Sequence, residues 1–439
     1  MNGSFVGTWS FQASIGDVLQ YDSGWVNAER GRPLSLSLPF TPGNGPHKGA
    51  VVRAYFENLL PDSDVIRQRV ARRFRTDSTD AFALLAEIGR DCVGALQILP
   101  DGVSPTRVRS IQATALSDTE IARVLNGVVT QEQMGISGLD DDDFRISIAG
   151  AQEKTALLRY EGRWYRPHGG MPTSHIFKLP LGLAGNMRFD LSESVENEWL
   201  CSEIIAAFGL PVARTEILQF EGLKVLAVER FDRAWSKDEK EPAWLMRLPQ
   251  EDMCQAKGTP PHLKYEADGG PGFAHIMGLL QTSRHAEQDR RLFFQSQVLF
   301  WMLCAVDGHA KNFSLFMYPG GTYSLTPLYD VLSAYPILGE GPGKLSPSRA
   351  KMAMAVRSKN PHWLMRDIQR RHWLNVGERY GVMTADGRGA EFVVDELVSR
   401  TAEVVRVVQE KLPPNFPVAL AQSIFGGLLA ASDKLANVL

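Results

Sequence analysis

The sequence is poor in cysteine, and its few cysteines are far apart. Cys92, Cys201, Cys254 and Cys304 form no CxxC pair, and no two histidines have the helical spacing of a zinc site. These spacings argue against a disulfide framework and against a structural zinc site. We therefore expect four reduced, mostly buried thiols, as in a cytoplasmic protein.

An excess of charge and a long apolar run are also missing. Lys and Arg number 47 against 50 Asp and Glu, which argues against histone-like coating of nucleic acid but leaves room for a local basic patch. No Lys or Arg precedes Arg30, so the start predicts no secretory signal. The longest near-apolar run, Phe293–Val306, is too short to span a bilayer. We expect no membrane partner.

The 439 residues allow two or three domains at about 150 residues each. Residues 1–110 show a mixed α and β pattern. Strands are predicted in the segments FVGTWS, SLSLPF and GALQILP, and helices in Val51–Leu60, Val65–Phe74 and Thr79–Ile88.

Residues 111–233 read mainly as strands separated by turn residues. The predicted strands are FRISIAG, KTALLRY, RWYRP and HIFKLP, followed by a hairpin that turns at Glu221-Gly222. A helix is predicted at Glu193–Phe208, with Ser192 as N-cap and Gly209 as the C-cap glycine.

Residues 234–439 are predicted to be mainly helical. A long helix covers Glu287–Val306, two short strands (FSLFM and TYSLTP) follow, and helices at 362–379, 389–411 and 417–436 close the chain. Strands that precede helices favour a bilobed α+β protein over a doubly wound sheet.

The segment Asp307-Gly-His-Ala-Lys-Asn312 carries the clearest chemistry. Asp307 and Asn312 have the D-x4-N spacing of a protein-kinase catalytic loop, and Asp330 follows the next pair of strands. Phosphoryl transfer needs a carboxylate that orients the attacking hydroxyl, and an amide oxygen and a second carboxylate that hold Mg²⁺. Taken alone, the segment fits a second interpretation equally well: the helix ends here, and Asp307 and Asn312 are ordinary turn residues.

Three further segments suit a nucleotide only in combination. Lys178 lies inside an apolar strand, where its ammonium needs an anion, either a phosphate or a structural carboxylate such as Glu198. Residues 147–155 join two strands with small residues, without a GxGxxG or Walker A pattern, so an ordinary turn is the simpler interpretation. Residues 229–233 have the chain position of a kinase hinge. The alternative interpretation is the charged end of an ordinary strand.

The order of these signals, together with eight long segments, resembles the HipA family, the serine/threonine kinase toxins of bacterial type II toxin–antitoxin modules. The resemblance runs nearly end to end. The segments are RPLSLSLPF, NLLPDS, EIGRDCVGA, DFRISIAGAQEKTALL, LAVERFDR, RLPQEDMCQ, KYEADGGPG and DGHAKNFS.

This resemblance implies a bilobed protein-kinase-like fold with an added N-terminal subdomain and a helical C-terminal lobe. It implies ATP and Mg²⁺ as cofactors, with Asp307 as catalytic base, Asn312 and Asp330 as metal ligands and Ser147 as an autophosphorylated serine. The implied ATP-binding residues are Ala149, Gly150, Ala151, Gln152, Glu153, Lys154, Lys178, Glu229, Arg230, Phe231, His309, Ala310, Lys311, Asn312 and Asp330.

The resemblance also implies partners. These are a small HipB-like helix-turn-helix antitoxin, operator DNA bound through the complex, and a protein substrate, glutamyl-tRNA synthetase in the best-known member, whose modification arrests growth. Membership would place the complex at the nucleoid, with Arg370 and Arg371 as DNA contacts. A small-molecule kinase of similar fold and a catalytically idle co-repressor remain as alternatives.

Overall fold

The computed structural model describes residues 1–105, 107–129, 147–150, 152–185, 188–236 and 243–437. Its strands are β1 (Gly7–Gln12), β2 (Gly16–Tyr21), β3 (His47–Lys48), β4 (Ala113–Ala115), β5 (Lys154–Tyr160), β6 (Arg163–Pro167), β7 (His175–Lys178), β8 (Gly182–Ala184), β9 (Phe189–Leu191), β10 (Thr215–Phe220), β11 (Leu223–Glu229), β12 (Arg233–Trp235), β13 (Leu245–Arg247), β14 (Gln250–Asp252), β15 (Ser314–Met317), β16 (Tyr323–Leu325), β17 (Lys351–Arg357) and β18 (Pro361–Leu364).

Helices account for most of the remaining regular structure. They are α1 (Ser23–Val26), α2 (Ala50–Glu57), α3 (Asp64–Phe74), α4 (Ala81–Ile88), α5 (Asp118–Val129), α6 (Ser194–Ala207), α7 (Met253–Lys257), α8 (Phe273–Leu280), α9 (Ala286–Met302), α10 (Arg370–Arg379), α11 (Ala390–Glu410) and α12 (Val418–Ala436).

The chain forms two compact units, each built from several segments. Unit 1 contains Met1–Leu179, Leu218–His262 and Ser314–Tyr323, and unit 2 contains Pro180–Ile217, Leu263–Phe313 and Ser324–Leu439. Unit 1 mixes strands and helices, whereas unit 2 is mainly helical. The predicted α+β class is therefore confirmed.

Unit 1 begins with a small antiparallel sheet in the order β1-β2-β3. Gly7 lies opposite Tyr21 and Gln12 opposite Gly16, so the two strands are in full register. The apolar side chains of β2, α2 and α4 bury one another in a shared core. Sheet and helices together make the N-terminal region a domain with a core of its own.

Unit 1 also contains most of a six-stranded sheet with the order β10-β11-β7-β5-β6-β4. Leu157 and Phe177 are fully buried and pack with Leu125 of α5. The turn between β10 and β11 has positive φ at both Glu221 (47°) and Gly222 (84°), the geometry of a two-residue hairpin. The predicted hairpin is thus confirmed, and β7 is a central strand.

Unit 2 is built around α9, whose residues from Leu292 to Met302 are almost all buried. Helix α11 packs against α6, α9 and α12. Gly209, at φ 84°, follows the C-terminus of α6 in the left-handed region that the sequence predicted for it. Because α9 is buried along most of its length, it is a rigid base for the loop that follows it.

Several predicted elements are wrong. SLSLPF is not a strand, because Ser35 and Ser37 donate their hydroxyls to the carbonyl of Gln255 at the end of α7. GALQILP is not a strand either: it begins in a turn at Gly94, whose φ is 76°, and continues without regular structure. Helix 362–379 begins only at Arg370, after strand β18, and Glu193 replaces Ser192 as N-cap of α6.

Candidate active site

The D-x4-N segment follows the C-terminus of α9 in unit 2. Cys304 has a left-handed φ of 50°, which turns the chain away from the helix axis. A Cβ on Gly308 would lie 2.5 Å from the ring of Phe300, so only glycine allows this close approach. Buried α9 therefore fixes the position of the backbone that carries Asp307.

The carboxylate of Asp307 is open to solvent and oriented by a hydroxyl. Its side chain is 64% exposed. The hydroxyl of Tyr265 donates a hydrogen bond of 2.5 Å to Oδ1, and Nε2 of His309 lies 4.0 Å from the same oxygen. The rings of Tyr265 and His309 are in edge contact at 5.0 Å. The second carboxylate oxygen can thus be offered to an incoming hydroxyl.

Asn312 ends a short 3-10 helix, Ala310–Asn312, and its side chain is buried. Its Nδ2 donates to the carbonyl oxygen of Asp307 at 2.8 Å. Because the amide nitrogen is used in this bond, Oδ1 of Asn312 is the atom that can coordinate a cation.

The Asp330 loop is joined to the Asn312 segment within unit 2. The hydroxyl of Tyr329 donates to the carbonyl of Lys311 at 2.8 Å. Asp330 has a φ of 61°, a conformation that Asp and Asn tolerate better than most residues. A non-glycine residue held in this region is a form of backbone strain that concentrates at functional sites.

Helix α6 holds the chain just beyond Asp330. Nδ2 of Asn197 donates to the carbonyl of Ser333, and the N–H of Ser333 donates to Oδ1 of Asn197, both at 2.8 Å. The hydroxyl of Ser333 donates to the carbonyl of Leu303, at the end of α9. Both buried helices of unit 2 thereby position the loop of Asp330.

In unit 1, Lys178 lies on the central strand β7 and is only 5% exposed. It is opposite Lys154 of β5 and Leu226 of β11. Lys154 directs its Nζ to the carbonyl of Ala149 at 2.6 Å, which closes the loop before β5. Two lysines side by side at the base of this loop form a positive site suited to phosphates.

The loop itself is partly described. Ser147 and Ile148 are buried, and Gly150 has a φ of 112° that favours glycine. Nε2 of Gln152 donates to the carbonyl of Leu179 at 2.5 Å. Residues 147–150 of the predicted strand FRISIAG are not part of a strand, and residues 144–146 and Ala151 lie outside the described residues.

The proposed hinge residues differ in exposure. Glu229 is exposed, and Phe231 packs edge-on against Phe316 at 5.9 Å. The side chain of Arg230 is 2% exposed and pairs with Asp91 and Asp232, so its guanidinium is not offered to a nucleotide. The N–H of Arg230 donates to the carbonyl of Ser174 at 2.9 Å, and its own carbonyl accepts the N–H of Arg233 at 3.2 Å.

Arg370 and Arg371, the two predicted DNA contacts, lie at the start of α10. Arg371 is exposed. Arg370 is 7% exposed, and its guanidinium lies 2.8 Å from Asp395 and 3.4 Å from Glu391. A guanidinium held by two carboxylates is poorly placed to contact phosphates, so Arg371 is the better candidate.

Two family descriptions match the chain. "HipA N-terminal domain" covers residues 1–99, and "HipA-like C-terminal domain" covers residues 146–405, which is more than half of the chain. The chain belongs to the HipA family. The resemblance inferred from the sequence segments is thereby confirmed.

Relatives of this HipA-family chain are named as kinases. A Sinorhizobium fredii protein named "Putative kinase Y4mE" is 33% identical over 100% of this chain and 97% of its own length. The "Serine/threonine-protein kinase toxin HipA" of Shewanella oneidensis is 27% identical over 75% of this chain and 72% of its own length.

A solved structure shares the HipA fold. The Shewanella oneidensis HipA chain, solved with HipB and its operator DNA, superposes with a TM-score of 0.75 at 22% identity, over 98% of this chain and 95% of that one. Among the helices of the described residues, none combines the length and hydropathy that crossing a bilayer requires.

The HipA-family core of unit 1 contains a buried ionic cluster that sequence reasoning missed. Asp91 receives Nη2 of Arg233 at 2.8 Å, Nη1 of Arg230 at 3.2 Å and Nε of Arg247 at 3.1 Å. Burial alone would raise the pKa of Asp91, but the three guanidinium groups hold it well below its ordinary value. Asp91 and the arginines are far apart in sequence, so no local pattern could have predicted the cluster.

We expect Asp91→Ala to destabilise unit 1 by about 3–5 kcal/mol, because it removes the buried carboxylate that pairs with Arg247 and leaves Arg230 and Arg233 to share Asp232 alone. The folded-state pKa lies below the unfolded value of about 3.9, so this stabilisation is complete above about pH 4 and is lost as the pH falls toward the folded pKa. Urea unfolding midpoints measured against Asp101→Ala, an exposed control, test this; equal midpoints would contradict it.

Proposed function

We propose that this HipA-family protein is an ATP- and Mg²⁺-dependent serine/threonine protein kinase that acts as the toxin of a toxin–antitoxin module. The observation that carries the proposal is the arrangement around Asp307. An exposed carboxylate is oriented by Tyr265 and lies beside an asparagine whose amide is fixed by the Asp307 carbonyl. The toxin kinase named among the relatives agrees with this chemistry.

Asp307 would act on the hydroxyl of a protein serine or threonine. The hydroxyl oxygen forms a bond to the γ-phosphorus of ATP, the bond from that phosphorus to the β–γ bridging oxygen breaks, and ADP leaves. The carboxylate orients the hydroxyl and accepts its proton. The hydrogen bond from Tyr265 limits rotation of the carboxylate and so favours one oxygen as the acceptor.

The residues of unit 2 fit a magnesium ion. Nδ2 of Asn312 donates to the carbonyl of Asp307, so Oδ1 of Asn312 is available for a cation. Asp330 supplies a carboxylate on a loop that the hydrogen bond from Tyr329 to Lys311 joins to the Asn312 segment. Mg²⁺ prefers such oxygen ligands and, when bound, neutralises charge that develops on the phosphates.

The nucleotide contacts proposed in unit 1 are the loop 149–154, Lys178 and residues 229–231. Lys154 and Lys178 would pair with phosphate oxygens, and backbone N–H groups of the loop would donate to them. The exposed Glu229 and the half-buried Phe231 would receive the adenine. In unit 2, the residues proposed to contact the nucleotide are His309, Ala310 and Lys311.

Incubating the protein with radiolabelled ATP, Mg²⁺ and bacterial lysate tests the function. A labelled protein band, at the mass of glutamyl-tRNA synthetase if the target is shared with the best-known member, supports a protein kinase. A labelled metabolite would instead support a small-molecule kinase, and the absence of any label an idle co-repressor. The Asp307→Asn protein is the negative control, in which we expect no labelled protein band.

Ser147 is the proposed autophosphorylation site, and we expect its phosphate to abolish ATP binding. Ser147 is fully buried and its hydroxyl donates to the carbonyl of Leu59, so a group carrying about −1.5 to −2 charge cannot be placed there without moving the loop. Mass spectrometry after incubation with ATP and Mg²⁺ locates the mark, and Ser147→Ala should lack it. Undiminished ATP affinity of the phosphorylated protein would contradict the assignment.

The proposed partners are a HipB-like helix-turn-helix antitoxin and, through it, operator DNA, at which the complex would repress its own operon in the nucleoid. Support comes from the fold shared with a HipA solved with HipB and operator DNA. Arg371 is the exposed arginine that would contact phosphates.

The proposed domains of the chain are 1–110, an N-terminal subdomain, 111–233, which contains the phosphate loop and hinge, and 234–439, which contains the catalytic and metal sites.

A further inference from the structure

The N-terminal domain holds residues 147–153, the segment that contains most of the proposed phosphate loop (149–154). All of the contacts lie within unit 1. The hydroxyl of Ser147 donates to the carbonyl of Leu59 at 2.7 Å, and the N–H of Ser147 donates to the carbonyl of Asp91 at 3.2 Å. The N–H of Asp62 donates to the carbonyl of Gly150 at 3.0 Å.

An ion pair adds a further contact at the other end of the loop. Nη1 of Arg69, on α3, lies 2.6 Å from Oε1 of Glu153, and both side chains are about a quarter exposed. Residues 147, 150 and 153 are thus each held by the N-terminal domain. Because these contacts hold three different positions of the loop, we call them together the clamp.

The clamping segment, Leu59–Asp62, is itself rigid. It connects α2 to α3, and Leu59 and Leu60 are buried in the N-terminal core. Asn58 donates its Nδ2 to the carbonyls of Ala54 and Thr259, and Ser63 caps α3 through the N–H of Ile66. A segment fixed at both ends can hold the loop that it contacts in one conformation.

We propose that Leu59–Asp62 and Arg69 are positioning residues for ATP, because they hold the phosphate loop in its nucleotide-binding conformation. The inference rests on the proposed kinase function. A loop with a glycine at φ 112° has many conformations when unrestrained, and ordering it on binding costs affinity. Ordering it beforehand with the clamp removes that cost.

The same clamp regulates access to Ser147. Its hydroxyl can reach a phosphate donor only after the bond to Leu59 is broken. Weakening the clamp therefore has two opposite effects: ATP binds less tightly, whereas position 147 becomes more accessible. General destabilisation of the fold would not confine the second effect to this position.

Asp62→Pro tests the clamp, because proline has no N–H to donate to Gly150. Asp64→Pro is the matched control: Asp64 is the first residue of α3, where proline is tolerated, and Ser63 before it already has extended φ and ψ of −81° and 121°. We expect Asp62→Pro to weaken Mg²⁺-ATP binding about three- to tenfold by calorimetry, and Asp64→Pro to leave it unchanged.

A thiol at position 147 gives a readout that does not depend on ATP. The native cysteines Cys92, Cys201, Cys254 and Cys304 are buried, so a maleimide should modify Ser147→Cys protein chiefly at that position once the clamp opens. We expect Asp62→Pro to raise the labelling rate of Ser147→Cys at least about threefold, and Asp64→Pro not to change it.

Arg69→Gln is the second variant, since it removes the ion pair at the surface without changing the backbone. We expect a smaller change in the same direction, about twofold in both readouts. Unchanged ATP affinity and unchanged thiol labelling in Asp62→Pro and Arg69→Gln would overturn the clamp. If Asp62→Pro does not fold, Arg69→Gln decides alone. Wild-type protein that binds no ATP would overturn the kinase proposal instead, while thiol labelling still reports on the clamp.

Discussion

Asp307→Asn should lower the rate of phosphoryl transfer by about 10²–10⁴-fold, the contribution typical of a positioned general base. Asparagine keeps the shape of the side chain and an oxygen that accepts the hydrogen bond from Tyr265. It cannot take up the proton of the attacking hydroxyl at neutral pH. Steady-state transfer of labelled phosphate to a substrate protein measures the effect, and growth on induction of the gene measures its consequence.

Asp268→Asn is the matched control for Asp307, because Asp268 is an exposed carboxylate of the same unit. It should leave the transfer rate unchanged. Both variants should bind ATP and unfold like the wild type, which separates loss of the base from loss of structure. Full growth arrest by Asp307→Asn at equal protein level would remove Asp307 from the catalytic role.

Asp330→Asn should weaken Mg²⁺-dependent ATP binding at least about tenfold, equivalent to ~1.4 kcal/mol. The substitution removes the negative charge that would attract the cation but tolerates the φ of 61°, since asparagine adopts the left-handed region readily. The loss therefore reports on charge and coordination and not on backbone strain. Calorimetric titration with ATP in the presence of Mg²⁺ is the measurement.

The same titration in EDTA provides the control for Asp330. Without the metal, wild type and Asp330→Asn should bind ATP equally weakly, because the difference between them lies in metal coordination. An Asp330→Asn protein with unchanged Mg²⁺-dependent affinity would show that the metal ligand is another residue. In that case Asn312 would keep its fixed amide but lose its proposed partner.

Local patterns in the sequence predicted helices and strands well where the element is defined by apolar periodicity or by a short turn. The apolar periodicity of α9 and the Glu221-Gly222 turn of the β10–β11 hairpin are examples. The same patterns failed at SLSLPF, whose alternation looks like a strand. There the serines bind the carbonyl of Gln255, a partner more than 200 residues away.

The candidate site divides in the same way. Asp307 and Asn312 were predicted because a loop after a buried helix is a local feature with a fixed spacing. Tyr265 and Asn197 were missed, because each acts on a residue distant in sequence through a single side chain. The catalytic, metal and nucleotide roles of these residues stay predictions until they are tested by the variants above.

The sequence by itself determined the α+β class and the family and suggested the residues proposed for phosphoryl transfer, since composition, periodicity and long matching segments are all properties of the chain. Only the tertiary structure decided how those residues are held. It placed Arg370 against Asp395 and Glu391, enclosed Arg230 in an ionic cluster, and tied Ser147 to Leu59. The physical reason is that burial and hydrogen-bond partners depend on contacts between distant segments, which no local pattern encodes.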